Sequence, residues 1–515
     1  MTDSPAPHSI YRFLHTQLAD GHDLDDAVLP DQEDVPGRVK FAAGAWDGVV
    51  GHHVANTESE LVDGLFAAIT AAAASGFVAR RRYAHLYERA KSPALLSAID
   101  PLLGRIRESG IDGVRLHAVA VRLATESAHR GPVKLGIALL GLFPADSHRE
   151  ILLTLGRHEE FTLYAAVALG NGQDDSDDDL WQLARQVRGW GRIHLVERLA
   201  DTGRRDILDW ILRDGFRNTV MDEYLAHLAA SRCDLLAALS ADDVDDELLR
   251  AAGDLLMALF RGGPTRDIHD YADGAAVTHI YLTLMQNRAS NLQHLLAIGA
   301  IRDFVTGSEP SQGWPDGGWD QAARSQFTSV CQQLIARPEW PPMAVDALES
   351  PDPVTSWRAE RACAILEIST LHTLLRQLRA EPLESGKWFS AIRQADRQSI
   401  DDVIDLAVEV LPLDDVATGP GEELGLGPRW AAHQCLDFLV QDLDKWPGVG
   451  WPLISASLSS PVIRNRNMAV RALAAWPRST WPNDAESRLQ QAISLEPEHD
   501  VKQRMTAAHE GRPLD

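Results

Sequence analysis

Apolar residues recur at helical spacing along most of the chain from Glu58 onward, and the strict alternation typical of β-strands is almost absent. Several segments open with a small or apolar residue, continue with Val beside Arg or Lys, and then place Ala and Leu three or four residues apart. Examples begin at Gly113 and at Pro132. This pattern predicts an all-α protein built from many short helices.

The clearest of these helices lies near the end of the sequence. Four apolar positions fall on one side of it: Val462, Ala469, Leu473 and Trp476. Arg464 and Arg471 fall on the other side. We expect the apolar side to be buried and the arginines to face water.

Trp-Pro pairs divide the same region at a fixed period. Trp446-Pro447 and Trp451-Pro452 are followed thirty residues later by Trp476-Pro477 and Trp481-Pro482. Proline suits the first turn of a helix and disfavours helical conformation in the residue before it. Each second Trp-Pro is followed by an apolar segment, a break with proline and another helical segment. The period therefore predicts a stack of two-helix repeats.

This pattern resembles HEAT-like repeats, whose second helix often begins Val-Arg and continues with Ala and Leu at helical spacing. The resemblance covers about half of the chain, mainly 113–170 and 340–511. Typical HEAT units are about 40 residues long, whereas the period here is thirty, so another helical-hairpin solenoid stays open. The resemblance implies a curved stack of helix pairs whose concave face binds another macromolecule.

Composition suggests where the helical regions begin and end. We predict a mostly irregular segment at 1–57 with one short helix near 11–18, and a first helical region at 58–305. A Gly/Pro/Trp-rich linker is predicted at 306–320, followed by a HEAT-like region at 321–515. Within that last region, glycine and proline predict an exposed loop near 412–428.

The chain is strongly acidic, with 49 basic and 74 acidic residues and a formal net charge of -25. Such a charge repels nucleic acid and anionic membrane surfaces over most of the molecule. The first twelve residues lack the features of a secretory signal, and the longest apolar stretch is too weak for a membrane span. We therefore expect a cytoplasmic protein that does not bind membranes and is a poor candidate for nucleic-acid binding.

Sequence motifs of standard enzymes are absent: there is no P-loop, no GxGxxG, no GxSxG and no HExxH. The four cysteines lie far apart, without the spacing of a zinc or redox site. No cofactor is predicted.

The most distinctive polar segment surrounds a predicted helix near residue 191. The candidate ligand-site residues there and shortly downstream are Arg192, His194, Glu197, Arg217 and Glu223. Such a set could hold an anionic ligand or position a general base. An ordinary hydrated helix face with glycines at the turns explains the same pattern.

Two weaker candidates have equally plain explanations. His269, Asp273 and His279 would form a metal site only if the chain turns near Gly274, and His-Asp pairs are frequent in this composition. Arg80, Arg81 and Arg82 form a basic patch with nearby tyrosines, which could bind phosphate or simply be a solvated helix.

These observations predict a helical-repeat scaffold that binds a protein partner on its concave face. An all-helical enzyme with a small-molecule or nucleic-acid pocket inside the repeat shell is the alternative. A structural oligomer, with exposed tryptophans stacking one copy on another, is a third possibility. A broad groove would favour the scaffold, and a closed pocket with convergent His, Glu and Arg would favour the enzyme.

Overall fold

A computed structural model describes residues 9–24, 27–32, 41–48, 59–74, 79–173, 175–308, 310 and 313–514. These residues are helical apart from their connections, and they contain no β-strand beyond an isolated bridge between Glu423 and Val462. The predicted all-α class is confirmed. The helices belong to two compact units, one ending at Arg337 and the other formed by Pro338–Asp515.

The helices of the first unit are α1 (Ile10–Ala19), α2 (Ser59–Ala73), α3 (Ala79–Arg89), α4 (Leu95–Arg107), α5 (Gly113–Glu126), α6 (Arg130–Leu140), α7 (Arg149–Gly156), α8 (Glu159–Gly172), α9 (Asp177–Ala184), α10 (Trp190–Leu199), α11 (Arg205–Trp210), α12 (Glu223–Arg232), α13 (Leu235–Leu239), α14 (Asp246–Arg261), α15 (Gly274–Arg288), α16 (Leu292–Thr306) and α17 (Gln321–Ile335). A π-helical turn, Ile211–Gly215, continues α11, and a 3-10 turn, Ala145–Ser147, precedes α7.

The helices of the second unit are α18 (Trp340–Ala347), α19 (Pro353–Ile365), α20 (Leu371–Ala380), α21 (Ser385–Gln394), α22 (Ile400–Val410), α23 (Leu413–Val416), α24 (Ala431–Val440), α25 (Trp451–Leu458), α26 (Ile463–Ala475), α27 (Ala485–Leu495) and α28 (His499–Glu510). Short 3-10 turns occur at Pro428–Trp430, Leu443–Lys445 and Arg478–Thr480.

Even-numbered helices of the first unit form a continuous row, which we call row A. Each of them, from α2 to α16, packs against the next even-numbered helix. Most odd-numbered helices lie against a neighbouring row A helix, as in the pairs α5/α6 and α7/α8. Row A and the odd-numbered helices share one apolar core, whose residues run from Ile10 to Leu334. This order is compatible with a stack of helical hairpins.

The second unit repeats this arrangement with its own core, from Leu371 to Ala508. The helices α21, α24, α26 and α28 pack in sequence, and α25/α26 and α27/α28 form hairpins. α25 begins at Trp451 with a proline in its first turn, as its Trp-Pro pair predicts. The predicted faces of α26 are also present: its four apolar positions are buried, while the Arg464 and Arg471 side chains are half exposed.

The segments predicted from glycine and proline take different forms. The 412–428 segment contains α23, and its later part lies alongside the turn at 459–463. Two backbone hydrogen bonds join them: Gly419 N donates to Ser459 O, and Ile463 N donates to Glu423 O. Within 306–320, Trp319 is buried against Phe304 and Phe327 in the first core. The domain boundaries predicted from composition stay predictions.

The short helix predicted near 11–18 is present as α1, and much of the rest of 1–57 lies outside the described residues. Among the described helices, none combines the length and apolar character needed to cross a lipid bilayer. The four cysteines are free thiols, and three of them are buried.

Candidate functional site

Row A carries a cleft between α4, α6, α8 and α10, which we call the apolar cleft. Its volume is about 430 Å³, within the range of small-ligand and side-chain binding sites. Its walls are mainly Leu96, Ile99, Leu103, Ala138, Leu163 and Val167. Leu96, Leu163 and Val167 are only half-buried, so apolar surface is available to a ligand.

One end of the apolar cleft is charged because α10 places polar residues one turn apart there. His194 and Glu197 both line it, and Glu197 Oε2 lies 3.7 Å from His194 Nδ1. Arg198 Nη1 donates to the carbonyl oxygen of His194 at 2.8 Å. The Arg198 side chain is exposed, yet partial desolvation by the surrounding protein lowers its pKa. Asp100 lines the same cleft from α4.

A second cleft of about 430 Å³, the lysine cleft, lies beside the first and contains a buried ion cluster. Lys134 Nζ lies 2.5 Å from Asp47 and 2.6 Å from Glu160. Arg130 adds contacts to Asp31 at 3.3 Å and to Glu160 at 3.7 Å. Although burial opposes it, Lys134 and Arg130 hold the pKa of Glu160 below its usual value. The charges of this cluster are therefore largely satisfied internally.

Tyr164 lines both clefts from the middle of α8. It is buried, and its hydroxyl forms no hydrogen bond with a described residue. Burial raises the pKa of Tyr164 well above its usual value, and the nearby Asp47 carboxylate adds to the effect. The hydroxyl therefore stays protonated at neutral pH, so it can donate but not act as a base.

A carboxylate fixes the start of α10 and with it the charged end of the apolar cleft. Glu159 accepts hydrogen bonds from the backbone N–H groups of Arg188, Gly189 and Gly191, at 2.5 to 2.8 Å. An acidic group at the amino-terminal end of a helix also complements the helix dipole. A Cβ on Gly191 would lie 2.6 Å from Thr162 Oγ1, so α10 approaches α8 at a distance that only glycine allows.

The structure brings together two of the five predicted site residues, His194 and Glu197. Arg192 instead points to the far side of α10, where it donates to Ala184 O, Arg217 O and Asp214. Arg217 pairs with Asp254 at 2.7 Å. Glu223 is buried and pairs with Arg261. These three residues join consecutive helical segments to one another.

The predicted metal candidates point to different partners. His269 Nδ1 lies 3.0 Å from Asp267 and its Nε2 lies 3.2 Å from Gly313 O, whereas His279 lies beside the ring of Phe327. Asp273 precedes the start of α15. In the described part of the chain, no group of three or more His, Cys, Asp or Glu side chains could hold a metal ion.

The predicted basic patch lies on α3. Arg80 and Arg81 are exposed and Arg82 is half-buried. The tyrosines beside it face inward: Tyr83 lies under Arg122, and Tyr87 shares a hydrogen bond of 2.8 Å with His129 Nδ1.

Sequence reasoning did not select Asp100, Tyr164 or the Lys134 cluster. Lys134 carried a usable signal, because a single lysine inside the apolar run of α6 needs a buried partner. Its partners, Asp47 and Glu160, are 87 and 26 residues away, and no local pattern identifies them. In the sequence, Asp100 looks like any exposed acidic residue of a helix, and only the packing of α4 in the fold shows that it lines the cleft.

Comparisons with known proteins give no assignment: no family model matches the sequence, and neither the curated proteins nor the solved structures contain a significant match.

Proposed function

We propose that this protein is a cytoplasmic, HEAT-like helical-repeat scaffold that binds a protein partner on the row A face of its first unit. In a stack of hairpins the continuous row of helices lines the concave face, which is the usual binding surface of such folds. The observation that carries the proposal is the apolar cleft. Four consecutive row A helices contribute to it, and it combines accessible apolar walls with charged groups at the rim.

This composition suits a macromolecular partner. Interfaces are anchored by apolar side chains that fill pockets, surrounded by polar groups that exclude water and set specificity. Leu163 and Val167 offer the apolar surface, and Arg198 and Asp100 provide charges of both signs. The net charge of -25 disfavours nucleic acid as the partner.

The test is site-specific photocrosslinking in the native cell. A photoreactive amino acid at Val167, inside the apolar cleft, is expected to capture one dominant protein. The matched control carries the same group at Leu495, which is 59% exposed on α27. Val167→Arg should reduce recovery of that protein at least tenfold, because a charged side chain would fill the apolar cleft. Identical products from the two positions would contradict the proposal.

An enzyme is the second candidate, and the lysine cleft favours it. A buried lysine between two carboxylates, next to a protonated tyrosine, could position a polar small molecule. Native mass spectrometry of the purified protein tests this directly. A bound metabolite that is lost in Lys134→Met, but retained in Val167→Arg, would support the enzyme over the scaffold.

A further inference from the structure

We propose that the apolar cleft recognises a peptide segment of the partner in which a short apolar stretch separates one acidic residue from one basic residue. The acidic residue would bind Arg198 and the basic residue would bind Asp100. This inference rests on the proposed function, because it specifies the chemistry of the segment that the scaffold binds.

Arg198 is the strongest argument for an anionic group in the ligand. Its guanidinium has one hydrogen bond, to the carbonyl oxygen of His194, and no carboxylate of a described residue forms an ion pair with it. The surrounding protein desolvates this cation enough to lower its pKa, although the neighbouring Glu197 carboxylate partly offsets the effect. A bound carboxylate would reduce the remaining cost of desolvation through charge-assisted hydrogen bonds to the guanidinium.

Asp100 makes the cleft bipolar. It is exposed on α4, on a different wall from Arg198, and it forms no ion pair with a described residue. The neighbouring Arg105 pairs with Asp63 instead. A ligand with acidic groups at both ends would therefore meet repulsion at Asp100, and a ligand with basic groups at both ends would meet it at Arg198. Such complementarity contributes mainly to specificity.

The helices α6 and α8 lie between α4 and α10 in row A, and they bring apolar residues to the cleft. Leu163 and Val167 line it from successive turns of α8, and Leu96 lines it from α4. Burial of a leucine or phenylalanine side chain there contributes the affinity, at about 25 cal/mol per Å² of apolar surface removed from water. The shared ligand is therefore a segment with apolar residues in the middle and opposite charges at its ends.

Fluorescence anisotropy with four labelled, end-blocked pentapeptides tests the inference. All contain a Leu-Phe-Leu core, flanked by Glu and Lys in either order, by two Lys, or by two Glu. We expect one mixed-charge peptide to bind at least tenfold more tightly than both uniform peptides. Equal affinities for all four, or no binding by any of them, would overturn the inference.

Charge reversal on the protein gives the second half of the test. Arg198→Glu should weaken binding of the mixed-charge peptide at least tenfold and strengthen binding of the Lys/Lys peptide. Asp100→Arg should also weaken binding of the mixed-charge peptide, and it should strengthen binding of the Glu/Glu peptide. Arg198→Gln, which removes the positive charge and keeps a polar side chain, should also weaken binding of the mixed-charge peptide. Arg107→Glu, an exposed position on α4 outside the cleft, is the matched control and should change nothing.

The two proposals can fail separately. If Val167 captures a protein in the cell but Arg198→Glu and Asp100→Arg leave that capture and peptide affinity unchanged, the charge rule is wrong and the scaffold stands. If no protein is captured at Val167 while the mixed peptide still binds with the expected charge dependence, the cleft has the proposed specificity but the scaffold proposal fails.

Discussion

The two units bury ions in different ways. In the first unit, Lys134 with Asp47 and Glu160 lies at a cleft that opens to solvent. In the second, Arg466 and Glu496 are fully buried, and the guanidinium also donates to the carbonyl oxygens of Ser460 and Gly421 at 2.7 Å. The first arrangement leaves charged groups near a surface where a ligand can reach them. The second engages four of the five N–H donors of the guanidinium and joins consecutive hairpins.

The largest effect should come from breaking the sealed pair of the second unit. Arg466→Met leaves Glu496 buried without a counter-ion, and we expect the free energy of unfolding of that unit to fall by about 3–5 kcal/mol. Urea titration monitored by hydrogen exchange would locate the loss. Arg488→Met is the control, because this arginine and its partner Asp484 are both half exposed and its removal should cost about 1 kcal/mol or less. Equal losses would mean that the buried pair is not special.

A pH titration should separate the units further. Burial raises the pKa of Asp437 to about 7 although Arg464 opposes it. Because the folded state then holds a proton more tightly than the unfolded state, this group stabilises the fold below about pH 4, and the contribution disappears as the pH rises to about 7. We expect Asp437 to lower the free energy of unfolding by about 2–4 kcal/mol across this window.

Asp437→Asn removes the titration while keeping an oxygen that can accept from Asn465. The free energy of unfolding of this variant should be nearly independent of pH between 4 and 7, where that of the wild-type protein declines.

His148 in the first unit should behave in the opposite sense, because burial and His117 lower its pKa. Its contribution is present above about pH 6.5 and is lost as the pH falls. His148→Gln should therefore reduce the acid sensitivity of the first unit. A His148→Gln protein with unchanged acid sensitivity would refute this assignment.

The open cluster of the first unit should tolerate disruption better than the sealed pair. Lys134→Met leaves Asp47 and Glu160 facing each other, but water can enter from the cleft. We expect a loss of about 2–3 kcal/mol in the first unit. Lys91→Met removes a lysine paired with exposed Glu88 at the rim of the same cleft, and it should change stability by about 0.5 kcal/mol or less. A loss from Lys134→Met as large as that from Arg466→Met would remove the distinction between open and sealed ion pairs.

The smallest effect concerns two tryptophans of the repeat. Trp476 is buried and its Nε1 donates to Leu443 O at 2.7 Å, whereas Trp481 is half-buried and donates to Leu473 O at 3.1 Å. Trp476→Phe should cost about 1–2 kcal/mol, because a buried carbonyl loses its donor. Trp481→Phe should cost less, since water can replace the indole. Thermal unfolding of the two variants side by side measures the difference, and the reverse order would contradict it.

Local patterns predicted the helices well because helix starts and buried faces are local properties. Trp451-Pro452 marks the start of α25, and the spacing from Val462 to Trp476 identifies the buried face of α26. The candidate site was harder to predict. His194 and Glu197 were selected from their own helix, but Asp100 joins them only through the packing of α4, α6, α8 and α10. Arg192 lies on the same helix but points away from the cleft, because its guanidinium donates to Asp214 and to Arg217 O in the segment between α11 and α12.

The spacing of the bonds between hairpins in the second unit has a consequence for its evolution. The Arg466 to Glu496 pair and the hydrogen bond from Arg478 to Ala508 O each join residues thirty positions apart, and the bond from Trp476 to Leu443 O spans 33. Two of these separations equal the thirty-residue Trp-Pro period, and the third exceeds it by three residues. The two ends of each bond therefore lie in different periods. Deletion of a single period would remove one end of a bond and leave the other end without its partner, so these bonds tie the number of hairpins in this part of the chain to its present value.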